Sequence, residues 1–221
     1  MRDHGSMAGE AGCGGLRLAH GWRLEAEPHL PGELPSEFVE PAVRAVPAAL
    51  AARLKRCQVR LAGHLENPDD ASQWVETGNA LEITVACEGV EAHDVALEVL
   101  LCLGQALWEA AEPGERDTYL KLLAEEMAAG VTGEIDEDAL EEKRRLMRGR
   151  ASARSPRRLE RYARASFAAT AAEYVHCLWH DVTVRTGAEH LPAPWLRLRL
   201  ELLARWFPPA RGYRLFPRRR R

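Results

Sequence analysis

"VALEVLLCLGQALWEAA", Val95 to Ala111, is the stretch on which the reading of this chain turns. Apolar side chains fill nearly every position, and only Glu98, Gln105 and Glu109 interrupt them. An amphipathic surface helix would keep one polar face. A helix that is apolar almost all round has to lie inside the fold. The helical period starts at about His93, and the segment before it has a different one. "ALEITVACEG" alternates as a strand does from Leu81 to Cys87, and Gly78-Asn79 joins it to "WVET" as a hairpin turn.

Further out, "RCQVRLAG" (Arg56 to Gly63) also alternates, and "NPDDASQ" is turn chemistry. Residues 1 to 20 are small and Gly-rich and read as a mobile N-terminal segment. Ser36 can cap a helix running to about Arg53, interrupted by Pro41 and Pro47. Beyond the central helix, Pro113 opens a helix that Gly130 closes. "IDEDALEEKRRLM" is short and highly charged. Ser155-Pro156 starts a long helix reaching about Arg185, with Gly187 after it, and a last helix spans about Trp195 to Trp206. Trp195, Leu198, Leu202 and Trp206 recur on it at helical spacing and read as its docking face. Strands followed by a run of helices predict an α+β fold. We expect a small sheet of two to four strands and then a helical bundle, as one domain over residues 21–217 with a basic tail at 218–221.

The composition excludes several function classes. The 221 residues are 46% hydrophobic, enough for a substantial core, and a net charge of −3 demands no polyanionic partner. Cys13, Cys57, Cys87, Cys102 and Cys177 form no C-x-x-C pair, and an odd number does not suit a disulfide framework. A reducing cytoplasm is the compartment this points to. The N-terminus lacks an apolar signal segment, and no run approaches the ~20 apolar residues of a membrane span.

Two charge blocks lie in the second half. Glu109 to Glu142 is acidic, while Lys143 to Arg164 holds ten basic residues against Glu160 alone. A nucleic-acid stripe would interleave aromatics, and only Tyr162 does so, which leaves mutual pairing of the two blocks as the expectation.

The order of strand, hairpin, apolar helix, acidic helical insert and "YARASFAATAAEYVHCLWHD" (Tyr162 to Asp181) resembles the anthrax-lethal-factor-like zinc metallopeptidases, a gluzincin-type family. The likeness covers roughly residues 59–181 and rests on order and local texture. In active members H-E-x-x-H supplies two zinc ligands and a general base from one helix face. A later helix adds a glutamate ligand in an E-x-x-x-E pattern, with a tyrosine one to two turns before it. The resemblance places the first histidine on Leu101, the general base on Cys102, the second histidine on Gln105 and the third ligand on Ala169. It also matches the second glutamate to Glu173 and the tyrosine to Tyr162. Leucine and alanine cannot ligate zinc, and glutamine is a poor ligand. The resemblance therefore implies a zincin-like arrangement around a central helix, with vestigial site positions and no peptidase chemistry. A peptide would be held by strand addition beside Leu81 to Cys87.

A separate reading uses Glu173, His176 and His180. At i, i+3 and i+7 they share one helix face and could hold a zinc ion or another divalent metal if a further ligand came from elsewhere. His64, His93 and His190 are candidates for that role, with no geometry in the sequence to choose among them. No G-x-S-x-G, Walker A or G-x-G-x-x-G motif is present. Cys102 paired with His176 or His180 would make a nucleophile only if its thiol were not buried. The expectation is thus a pseudoenzyme that binds a peptide or protein partner, without cofactor or membrane. The alternatives are a metal-dependent hydrolase on Glu173, His176 and His180, and a nucleic-acid-associated module on residues 143–164.

Overall fold

A computed structural model describes residues 15–148, 155–180 and 187–216. Its strands are β1 (Leu16–Arg17), β2 (Arg23–Ala26), β3 (Arg56–Ala62), β4 (Ser72–Thr77) and β5 (Ala80–Ala86). They form one mixed sheet in the order β1-β2-β3-β5-β4. β2, β3 and β5 are parallel, and the two outer strands run against their neighbours. The fold is α+β, with five strands where two to four were expected. The two strands that the sequence reading did not name are β1 and β2, of two and four residues, too short to establish an alternating pattern. Order therefore begins before residue 20: Leu16 already pairs with Leu24, and Leu18 is buried.

Alternation explains which face of the sheet is covered. Cys57, Val59 and Leu61 on β3 and Leu81, Ile83 and Val85 on β5 all point into the core, while Gln58, Arg60 and Glu82 stay exposed. The β4–β5 hairpin turns at Gly78, whose φ of 60° is easily reached by glycine. β5 continues past its hairpin partner to lie beside β3. It is therefore interior, and the outer edge on this side of the sheet belongs to β4. Strand addition beside Leu81 to Cys87 is excluded on this geometry, because both sides of β5 already have partners.

The helices are α1 (Glu40–Ala45), α2 (Ala48–Ala51), α3 (Ala92–Glu109), α4 (Pro113–Ala128), α5 (Glu137–Met147), α6 (Pro156–Trp179) and α7 (Ala193–Trp206). The single helix expected from Ser36 to Arg53 is a π-helical turn over Leu34–Val39 that runs into α1, with α2 set off by Pro47. Proline lacks the N–H that would continue the ladder. α4 starts with Pro113 and a capping box between Glu112 and Glu115, and the Asp136 carboxylate caps α5 by accepting from the Ala139 N–H at 2.8 Å.

α3 and α6 make the centre. They run antiparallel, since His93 meets His176 at one end and Trp108 donates to Glu160 at the other. The run of alanines on α6 lets the backbones come close. A Cβ on Gly104 would lie 2.6 Å from the Ala168 carbonyl oxygen. α6 ends at Trp179 rather than near Arg185. His180 already has extended dihedrals, and the segment expected to continue the helix, from Asp181, lies outside the described residues. The tail at 218–221 lies outside them as well. No helix among the described residues is long and apolar enough to cross a membrane, and their four cysteines are free thiols.

Candidate functional site

A cleft of about 1430 Å³ opens between the N-terminal half of α3 and the C-terminal half of α6. His93, Leu97 and Leu101 line it from α3, and Ala169, Glu173 and His176 from α6. Its other wall is the segment Glu134–Glu137 with Arg144 of α5, and Glu189–Leu191 beyond α6. Helical spacing puts His93, Leu97 and Leu101 on one α3 face at i, i+4 and i+8, and crossing helices bring Ala169 opposite Leu101.

The six positions named by the metallopeptidase resemblance are not all brought together. Leu101, Ala169 and Glu173 share the cleft. Cys102 faces the core behind it, 1% exposed, and burial pushes its thiol up to about 12. A thiol held protonated in this way is inert as a nucleophile. Gln105 does not line the cleft. Its Oε1 accepts from Trp74 Nε1 of β4 at 2.7 Å, while Glu98, on the other side of Leu101, accepts from Ser72 Oγ. The two polar neighbours of Leu101 therefore tie α3 to the edge strand. Tyr162 is fully buried and donates to Glu134 Oε1 at 2.5 Å. Burial and the neighbouring Glu134 charge raise its pKa strongly, so it serves the interior and not the cleft. Two hydrocarbons and an amide engaged by an indole do not fit a zinc ion.

Histidines collect at the mouth of the cleft. His93 Nε2 lies 3.0 Å from His176 Nε2, and Trp179 stacks on the His93 ring with centroids 5.5 Å apart. His176 Nδ1 sits 3.2 Å from Glu173 Oε2. The His180 ring is 5.6 Å from that of His93 by centroid. The stripe expected from Glu173, His176 and His180 does not form as a single helix face, because the helix has ended before His180. Among the described residues, no group of three or more His, Cys, Asp or Glu side chains is arranged to hold a metal ion. His190 lines the cleft from the far side, and the exposed His64 pairs with Glu88 at 2.8 Å.

Beneath the cleft lies a polar network with no counterpart in the sequence reading. Arg199 of α7 is fully buried. Its Nε and Nη2 donate to Glu126 at 2.8 and 2.5 Å, and its Nη1 to Glu134 Oε2 at 2.8 Å and Ser166 Oγ at 2.7 Å. Lys143 Nζ adds a bond to Glu134 Oε1 at 3.0 Å, and Tyr119 joins through Ser166 and Thr170. Burial by itself would raise the Glu134 carboxyl, but Arg199, Lys143 and Tyr162 hold it down to about 2. Asp136, two residues on and half-buried in the cleft wall, has no such cation. Burial outweighs the capping bond from Ala139, and the nearby carboxylates of Asp138, Glu134 and Glu98 add to it, so its pKa rises to about 6. The docking face of α7 accordingly centres on Arg199, Leu200, Leu202 and Leu203; Leu202 was expected there, whereas Leu198, also expected, is 45% exposed. The only sequence signal was an arginine at helical spacing from Leu196 and Leu203, which reads equally well as solvated.

The charge blocks pair with each other. Arg145 binds Glu141 and Glu142, Arg161 approaches Glu142, Arg164 approaches Glu109, and Lys143 is buried against Glu134. Residues 149–154 of the basic run lie outside the described residues. Compared with family models, curated proteins and solved structures, the chain matches none of them.

Proposed function

We propose that the chain is a catalytically silent, metallopeptidase-like binding protein whose cleft between α3 and α6 receives a cationic peptide. One observation carries the reading. Leu101 and Ala169, where the resemblance would require zinc ligands, meet in a single cleft and present only hydrocarbon. A zincin-like arrangement accounts for an apolar helix next to an antiparallel edge strand. The loss of ligands accounts for the absence of a base, because Cys102 is buried and Gln105 holds Trp74. Acidic side chains dominate the rim, with Asp94, Glu98, Asp136, Glu137 and Glu173 against Arg144 and Arg148. Such a wall attracts positive charge and repels anions.

The test is titration of a lysine- and arginine-containing peptide into the purified full chain, with zinc supplied and the peptide recovered afterwards. We expect salt-sensitive binding, weakened severalfold by Asp94→Asn combined with Glu137→Gln, and an intact peptide. Cleavage of the peptide would reject catalytic silence. Binding insensitive to the double variant would reject the cleft as the binding site.

A further inference from the structure

We infer that His93 and His176 form a two-imidazole site for a transition-metal ion of Cu²⁺ or Ni²⁺ type, at the mouth of the cleft and apart from the vestigial zinc positions. His93 precedes Leu101 by eight residues, which is ~12 Å along α3 at ~1.5 Å per residue. The site therefore does not depend on the peptidase-like reading and can stand or fall without it.

The argument rests on which ring atoms face what. The two Nε2 atoms lie 3.0 Å apart, with the rings inclined at 62°. Both Nδ1 atoms point at carboxylates: His176 Nδ1 lies 3.2 Å from Glu173, and His93 Nδ1 lies 3.6 Å from Asp94, which is ion-pair range and longer than a hydrogen bond. A neutral imidazole carries one N–H and one lone pair. If both rings keep their hydrogen on Nδ1, toward the carboxylates, two lone pairs confront each other at the Nε2 contact. If one ring moves its hydrogen to Nε2 to make that contact a hydrogen bond, its Nδ1 lone pair then faces a carboxylate. A cation bound by both Nε2 atoms, off the line that joins them, lets both rings keep Nδ1–H, with His176 bonded to Glu173 and His93 facing Asp94. A carboxylate behind a ligating histidine is also the usual way such rings are oriented and made more basic.

The separation says which ion. With metal–nitrogen bonds of ~2.0–2.1 Å, nitrogens 3.0 Å apart subtend ~90–95° at the metal, whereas a tetrahedral ion would need them ~3.4 Å apart. A right angle is the cis relation of square-planar or octahedral coordination, which favours Cu²⁺ and Ni²⁺ over Zn²⁺. Two protein nitrogens leave further positions for water or for a donor on a molecule entering the cleft. Trp179, stacked on His93, holds that ring in place.

The experiment is calorimetric titration of the metal-stripped full chain with NiCl₂, CuCl₂ and ZnCl₂, with His93→Gln, His176→Ala, Glu173→Gln and His64→Ala compared by the same titration and by circular dichroism. The expected result is one ion per chain, with Cu²⁺ and Ni²⁺ bound more tightly than Zn²⁺. Affinity falls at least about a hundredfold in His93→Gln and His176→Ala, falls about tenfold in Glu173→Gln, and is unchanged in His64→Ala. The Cu²⁺ complex of the wild type shows electron-paramagnetic coupling to two equivalent nitrogens. His93 has a third of its side chain exposed, so its variant folds even if His176→Ala does not. Affinity retained in His93→Gln, or no binding by the wild type, overturns the inference.

Discussion

The buried network around Arg199 and the cleft around Leu101 are neighbours that share Glu134, yet they treat polarity in opposite ways. In the network, Arg199, Lys143, four hydroxyls and two carboxylates are buried and each has found a partner. In the cleft, hydrocarbon occupies positions where the resemblance would require ligands, while the polar groups stand at the mouth with partial partnering. A buried charge cannot be left without its counterion, whereas a wet cleft wall tolerates many side chains. The difference teaches where this fold is rigid. α4, α6, α7 and the Glu134 segment are clamped from inside, and the cleft is a surface supported by that clamp. Function, on this view, can change at the cleft without disturbing the scaffold.

The sharpest attempt to break this contrast is Arg199→Ala. It leaves Glu126 and Glu134 buried with too few cations, a mechanism that typically costs about 3–5 kcal/mol. In a chain of this size the melting temperature should fall by about 10 °C or more. Thermal unfolding followed by circular dichroism reads this directly. His93→Gln at the cleft mouth should shift the same midpoint by no more than about 2 °C. Equal shifts for the two variants would erase the distinction between clamp and cleft.

Gly104→Ala comes next. Alanine is the better helix former by about 1 kcal/mol, so propensity alone would stabilise α3. The added Cβ would meet the Ala168 carbonyl oxygen at 2.6 Å, and that atom is backbone with no rotamer to yield. Overpacking of this kind costs about 1–3 kcal/mol, enough to cancel the propensity gain and lower the denaturant midpoint. The same shift should separate His93 from His176 and weaken any ion held between them. A more stable Gly104→Ala variant would show that the two helices are not clamped at this point.

pH separates the two regions again, because the two acids flanking the cleft wall are shifted in opposite directions. Glu134 is held down to about 2, so its contribution is present above its unfolded value and is lost as pH falls through that range toward 2. Asp136 is raised to about 6 from an ordinary 3.8. Between those values the folded state holds a proton that the unfolded chain has released, so this group makes stability fall as pH rises from about 4 to 6. Asp136→Asn keeps an acceptor for the Ala139 N–H, since asparagine caps as well as aspartate. Its advantage over wild type should be near zero at pH 4 and grow to on the order of 1 kcal/mol at pH 7, discounted because the carboxyl is partly wet. Denaturant midpoints measured at both pH values test the sign, and an advantage that shrinks toward pH 7 would contradict it.

Local signals made much of the scaffold legible. Proline and glycine punctuation placed both ends of α4 and the start of α6 within a few residues, and the two-residue turn at Gly78-Asn79 announced the β4–β5 hairpin. Non-local pairing was not legible. Nothing in Ala80–Ala86 says that β3, and not solvent, lies on its far side, and two residues of β1 cannot display a period. At the candidate site, the sequence grouped Leu101, Cys102, Gln105, Tyr162, Ala169 and Glu173 through a resemblance, and the fold brings only Leu101, Ala169 and Glu173 to one cleft. It could not pair His93 with His176 across 83 residues. Nor could it bury Arg199, since an arginine between leucines on a charged helix has the same local pattern whether it faces water or two glutamates.

The smallest effect should come from Leu101→Gln. Leu101 is only half-buried, and its side chain borders solvent in the cleft. A glutamine amide there can be hydrated, so the loss is part of one side chain's transfer energy, about 1 kcal/mol or less. Neighbouring Cys102, at 1% exposure, has no such outlet, and the same substitution one position on should cost several times as much because the amide would be buried without a partner. The pair of variants places the boundary between tolerant wall and intolerant core between two consecutive residues of one helix. If Leu101→Gln proves as damaging as Cys102→Gln, the cleft is packed core in solution, and a ligand could enter it only by unfolding part of the clamp.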